Sequence, residues 1–139
     1  MNLNYKQMIK KIEEITTIKD IYELLIDEKK FAKKYSTKED ILILFKIIEN
    51  NITKIEKNKE LDYYEAFEIF KVYLIAFFLY EYSKEKNILH KKIKKTIKIE
   101  DLAQKLYILI INLEKVKVVE YEEFIKNKNI KKAIKKYIK

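Results

Sequence analysis

The side chains of this chain that could carry chemistry are few, and most of them stand alone. His90 is the sole histidine, set in Leu89-His90-Lys91-Lys92, among cations that disfavour its protonation. A histidine that acts as a base or a metal ligand is normally oriented by a second group. Here the nearest acid along the chain is Glu85, five residues away, so an exposed helix-surface histidine is expected. The two serines, Ser36 and Ser83, have no histidine close in sequence. Ser36 with Glu39 has the form of a capping box, and a nucleophilic hydroxyl is not expected. Asp62, Glu65 and Glu68 recur at helical spacing. Paired carboxylates can hold metals or move protons in a bundle core. The di-metal pattern also needs Glu-x-x-His, which the chain lacks. The expectation is a solvated acidic edge able to dock lysines, with no metal and no cofactor.

Absent residue types narrow the chemistry further. The 139 residues include no glycine, proline, cysteine or tryptophan, and no arginine, so all 31 cations are lysine. Without glycine there is no phosphate-cradling loop and no nucleophile elbow. Without cysteine there is no thiolate, disulfide or zinc–thiolate site. Without arginine there is no bidentate fork for carboxylate, phosphate or guanine. An enzyme is therefore not expected. Isoleucine (25 residues), lysine, asparagine and tyrosine are encoded by A/T-rich codons, so a low-GC genome accounts for much of this composition. It does not account for arginine, which also has an A-rich codon.

The lysines are unevenly placed. From Lys84 to Lys98, seven lysines (Lys84, Lys86, Lys91, Lys92, Lys94, Lys95, Lys98) face one acid, Glu85, for a net +6. From Phe124 to Lys139, another seven (Lys126, Lys128, Lys131, Lys132, Lys135, Lys136, Lys139) face none, for +7. Together these exceed the +9 of the whole chain and leave the remainder at −4. Two concentrated stripes are the footprint of a polyanion site or of attachment to an anionic surface. The competing reading is two solvated helix faces.

The elements that must carry these residues read as helices. Hydrophobic residues make up 48% and charged residues 38%, a globular balance, and a chain of this length buries roughly 68% of its extended surface. Met8, Ile9, Ile12 and Ile15 form one stripe, and Ile18, Ile21, Tyr22 and Leu25 form a second that runs on toward Phe31 and Tyr35. Thr17 with Asp20 resembles a capping box between them. Ile41, Phe45, Ile48, Ile52 and Ile55 step at heptad spacing, a seam suited to a neighbouring helix. A turn is expected at Lys57-Asn58-Lys59, then a long helix over 61–86, apolar on nearly all sides and hence enclosed by the others. Its aromatic stripe (Tyr63, Phe67, Phe70, Tyr73, Phe77, Tyr80) could stack bases but is expected in the core. Tyr121 and Tyr137 are better placed for surface contact.

Asn87 to Thr96 reads as a basic continuation of that helix. Glu100 and Asp101 open another, which carries Leu102, Leu106, Leu109 and Leu113 and gains from acids in its first turn. Val116–Tyr121 is the one place for a short strand, and a final amphipathic helix uses Phe124, Ile130, Ala133, Ile134 and Tyr137. The isoleucines and tyrosines favour strands, but period over long windows outranks propensity, and a sheet protein would need the missing turn residues. The expected fold is all-α: a single helical domain over 1–139, a compact bundle of five to seven helices around the long apolar one. Its basic amphipathic segments are 84–98 and 124–139.

No apolar signal core is read near the start, and the longest apolar run, Val72 to Tyr80, is far short of the ~20 residues of a membrane span. A cytoplasmic location is expected. The leading functional expectation is a non-catalytic accessory subunit that binds an RNA or DNA backbone without reading sequence. Lysine neutralises phosphates as a point charge. In size and composition alone the chain is similar to the small helical subunits of CRISPR effector complexes, which would imply a place in a larger nucleoprotein. The alternative is a protein-binding module, such as an inhibitor, immunity or anti-defence factor or an oligomerising bundle. It would act on an acidic surface or through the Ile41–Ile55 seam as a partner-helix contact. A basic tail lying on anionic membrane ranks third.

Overall fold

The computed structural model describes residues 18–25, 27–56, 63–115 and 130–138. Among them are seven helices and no strand: α1 (Ile18–Leu24), α2 (Glu28–Lys34), α3 (Lys38–Glu56), α4 (Tyr63–Lys86), α5 (His90–Thr96), α6 (Ile99–Glu114) and α7 (Ile130–Lys135). The fold is an all-α compact helical bundle. The readings at Met8–Ile15, Thr17, the 57–59 turn, Asp62, the 116–121 strand, Tyr121 and Phe124 lie outside the described residues.

Helix α4 packs against α1, α3, α5 and α6, and α7 rests on α6. From Ile69 to Phe77 every residue of α4 is buried, Lys71 included. Such a run fits only a helix covered on several sides. The aromatic stripe is core: Phe67, Phe70, Tyr73, Phe77 and Tyr80 are all buried. Phe31 of α2 is 1% exposed. It meets Phe78 edge-on at 4.6 Å and Tyr82 edge-on at 5.5 Å, arrangements favoured by ring quadrupoles. Lys71 is drawn inward at 7% exposure. Its ammonium lies over Phe67 (4.6 Å) and Tyr22 (5.6 Å) while reaching Glu68 at 2.9 Å. The ion pair and the ring faces offset the cost of drawing the ammonium inward.

Local chemistry sets the helix boundaries. The stripe from Ile18 to Tyr35 is divided between two helices, because Asp27 caps α2 by accepting from the amides of Lys29 and Lys30, both at 3.1 Å. The cap of α3 is Thr37, not Ser36. Its hydroxyl accepts from the Asp40 amide at 3.2 Å and donates to the Asp40 carboxylate at 2.7 Å. A hydroxyl cap does open α3, one residue on from the expected Ser36–Glu39 box.

The segment after Lys86 is not a continuation of α4. Asn87 takes the left-handed conformation at φ 54°, and the Ile88 amide returns to the Ser83 carbonyl at 3.1 Å. That bond is the closure of a Schellman motif. Leu89 is also left-handed, at φ 55° and ψ 19°, and α5 starts afresh at His90. With no glycine in the chain, both positions that would favour it are filled by residues with a Cβ.

Candidate functional site

The break at 87–89 brings together residues that a continuous helix would separate by about two turns. Ser83 is 0% exposed on the last turns of α4, and His90 opens α5. Their Oγ and Nδ1 atoms are 3.1 Å apart. The serine's single proton is committed to the Tyr80 carbonyl at 2.9 Å, so its oxygen accepts from Nδ1–H. The imidazole also meets the Tyr80 ring edge-on at 4.9 Å. His90 is therefore half-buried and oriented rather than exposed on a helix surface. Burial lowers its pKa below the usual histidine value, Lys94 and Lys84 lower it further, and Glu81 pulls weakly the other way. The histidine that results is biased toward the neutral form. The pairing gives no nucleophile, because Ser83 is sealed from solvent and its proton is held by backbone.

A third element closes on this point. Tyr137, just past α7, packs edge-on against Phe77 at 5.9 Å and Tyr80 at 6.1 Å. Its hydroxyl donates to Glu81. Burial, and then this hydrogen bond to a carboxylate, push its pKa well above the usual tyrosine value. The sequence placed Tyr137 on the surface for outside contact. In the structure it is half-buried and spends its ring and hydroxyl on α4. The Lys84 ammonium stands 5.8 Å from the centre of the same ring. The two basic segments, which the sequence could only count separately, therefore touch at the C-terminal end of α4.

The lysines around this junction point outward. Lys84, Lys86, Lys91, Lys92, Lys94, Lys95 and Lys98 are all exposed, with Ile93 and Ile97 as the inward side of α5. On α7 and just after it, Lys132, Lys135 and Lys136 are exposed around buried Ile134. Lys135 also reaches over Tyr107 at 6.0 Å. Lys131 is ion-paired with Glu114, so its charge is partly spoken for. Lys126, Lys128 and Lys139 lie outside the described residues. Lys84 and Lys86, Lys94 and Lys95, and Lys132 and Lys135 occupy the last turns of α4, α5 and α7, where they also offset the negative ends of the helix dipoles.

The remaining sequence candidates fall elsewhere. Of the seam, Ile41, Phe45 and Ile48 are buried in this chain's own core, and Ile52 and Ile55 are partly buried against it. Glu65 and Glu68 are exposed, with Glu68 holding Lys71. A cavity of about 80 Å³ lies where Ile52 and Tyr73 meet Thr96, Lys98, Asp101 and Lys105. Among the described residues no group of three or more metal-ligating side chains is brought together. No described helix is long and apolar enough to cross a membrane.

Compared with known proteins, the chain matches no family model, no curated protein and no solved structure. Any reading of function therefore rests on its own residues.

Sequence reasoning missed the Ser83–His90 contact and the Tyr137 anchor. The first had a signal: Asn87 followed by apolar Ile88 is a C-terminal stop pattern even without glycine. The second had none, since Tyr137 and Glu81 are 56 residues apart.

Proposed function

We propose that the protein is a non-catalytic, lysine-mediated binder of nucleic-acid backbone, acting without sequence specificity as an accessory subunit of a larger nucleoprotein. The observation that supports the reading is the approach of Lys84 to the Tyr137 ring at 5.8 Å, where the two basic segments meet at the end of α4. Lysines on flexible stems neutralise phosphates and carry no base readout. Binding of this kind releases counterions, so affinity falls steeply with salt. The test is titration of a labelled mixed-sequence DNA duplex and a labelled RNA strand across a salt series. The expected result is tight binding at low salt, little dependence on sequence, and a steep loss as salt rises. Absence of binding at low salt overturns the proposal.

One observation favours the protein-binding alternative. Ile108 and Ile111 lie three residues apart on α6 and are 52% and 40% exposed, so they present adjacent apolar side chains to solvent. A stoichiometric protein partner that survives nuclease treatment and is lost in Ile111→Lys would support that reading over the first.

A further inference from the structure

We infer that Tyr137 is a positioning residue that locks the C-terminal lysines and the α5 lysines into one surface, which takes the backbone of one nucleic-acid duplex. The inference rests on the backbone-binding reading above. Helix α7 has six residues, far below the ~12–15 at which an isolated helix holds its shape in water. Its order must therefore come from docking, and Ile134 is its only buried residue. Ile130, Ala133 and Ile138 add partly buried contacts to the core and Lys131 pairs with Glu114, while Tyr137 supplies the tie to α4, through Phe77, Tyr80 and Glu81. Those three residues belong to the stretch of α4 that leads into Ser83, Lys84 and the turn to α5. The anchor for one set of lysines is thus built from the helix end that orients the other. A basic tail that only needed to be charged would need no such contact.

The contribution of α7 can be bounded. Lys131 is held by Glu114, which leaves Lys132, Lys135 and Lys136 for phosphate. Three phosphates correspond to about 2.7 units in the slope of log affinity against log salt, at roughly 0.9 per phosphate on a duplex. Tyr137→Ala is expected to remove most of that, although it deletes no charge. Substituting Lys132, Lys135 and Lys136 together by glutamine should remove a similar amount. Combining the two changes should add nothing further, because both delete the same contacts. Tyr137→Phe keeps the ring contacts and is expected to hold the slope within one unit of the parent chain.

The experiment is the salt series with a labelled mixed-sequence DNA duplex, run on the parent chain and these variants. A second measurement needs no variant: acetylation of lysines on the folded protein as duplex is added. Lys84 and Lys91 should become protected at the same duplex concentration as Lys132 and Lys136. An unchanged slope in Tyr137→Ala, additive losses in the combined variant, or protection confined to one segment overturns the inference while leaving the backbone-binding reading intact. If the parent chain binds no duplex at low salt, both fail.

Discussion

Replacing Lys91, Lys92, Lys94 and Lys95 together by glutamine is the sharpest perturbation of the proposed surface, and its size can be worked out in advance. All four side chains are exposed, while the helix that carries them is held by Ile93 at 0% and Ile97 at 5% exposure. Surface changes of this kind usually move stability by no more than about 0.5 kcal/mol each. Each lysine paired to a duplex phosphate contributes about 0.9 to the slope of log affinity against log salt. Between about 50 and 200 mM salt that is roughly a 3.5-fold loss of affinity per lysine, and about 150-fold for four. The variant should therefore lose about two decades less affinity across that window than the parent, measured by fluorescence anisotropy on one labelled duplex. The sole histidine gives an independent readout without ligand. Lys94 ranks second, after burial, among the causes that lower the His90 pKa. Removing its charge should raise that pKa, followed by NMR titration, while burial keeps it below the ordinary value. A variant that stays folded and shifts His90, yet keeps the parent's salt slope, would refute the assignment of these lysines to phosphate contact.

Four further outcomes follow from the fold. Thr37→Ala should destabilise by about 0.5–2 kcal/mol through loss of the α3 cap, with Ser36→Ala nearly neutral; reversal of that order in chemical denaturation contradicts the capping geometry. Phe31→Ala, which deletes a ring packed edge-on against Phe78 and Tyr82, should cost about 3–5 kcal/mol, a large share of the stability of a typical domain. Asn87→Val puts a β-branched residue at φ 54° and should lower the melting temperature, whereas Asn87→Gly should hold or raise it. Because the folded pKa of His90 lies below its ordinary value of 6.5, the unfolded chain binds more protons in the window between the two. Stability should be at its full value above about pH 6.5 and fall as pH drops through the folded pKa. His90→Gln should flatten that part of the melting-temperature profile.

Periodicity in the sequence sufficed wherever helices are long and one face is covered. Ile41, Phe45 and Ile48, and likewise Leu102, Leu106 and Leu113, are buried where the helical spacing put them. Leu109 was assigned with them but is only partly buried. The aromatic residues of α4 were legible as core for the same reason, since an all-round apolar helix has nowhere else to go. Boundaries were less legible, because they depend on single hydrogen bonds. A one-residue shift from Ser36 to Thr37 changes which hydroxyl caps α3 and leaves the pattern of apolar residues untouched. The candidate site was legible as charge and not as geometry. The sequence counts lysines near 84–98 and 124–139, but their meeting depends on the docking of α7 on α6 and on Tyr137 reaching α4 across more than fifty positions.

The absence of glycine and the absence of arginine bear on the same corner of the molecule. Leu89 holds a left-handed conformation that costs an ordinary residue about 1–2 kcal/mol, so the surroundings must favour the turn by at least that much. Ile88 and Leu89 pack against the core, the Ile88 amide is bonded to Ser83, and the buried Ser83 hydroxyl is paired with His90. Each of these is lost if α4 runs on as one straight helix. The turn also redirects the chain, so that α5 packs against α4 instead of prolonging it. A chain with arginine could fix a phosphate with one planar side chain. A chain limited to lysine has no rigid fork to aim, and its directionality must come from the backbone that presents the charges. In the proposed binding, the left-handed turn and the Tyr137 anchor would do for a lysine surface what side-chain geometry does for an arginine one.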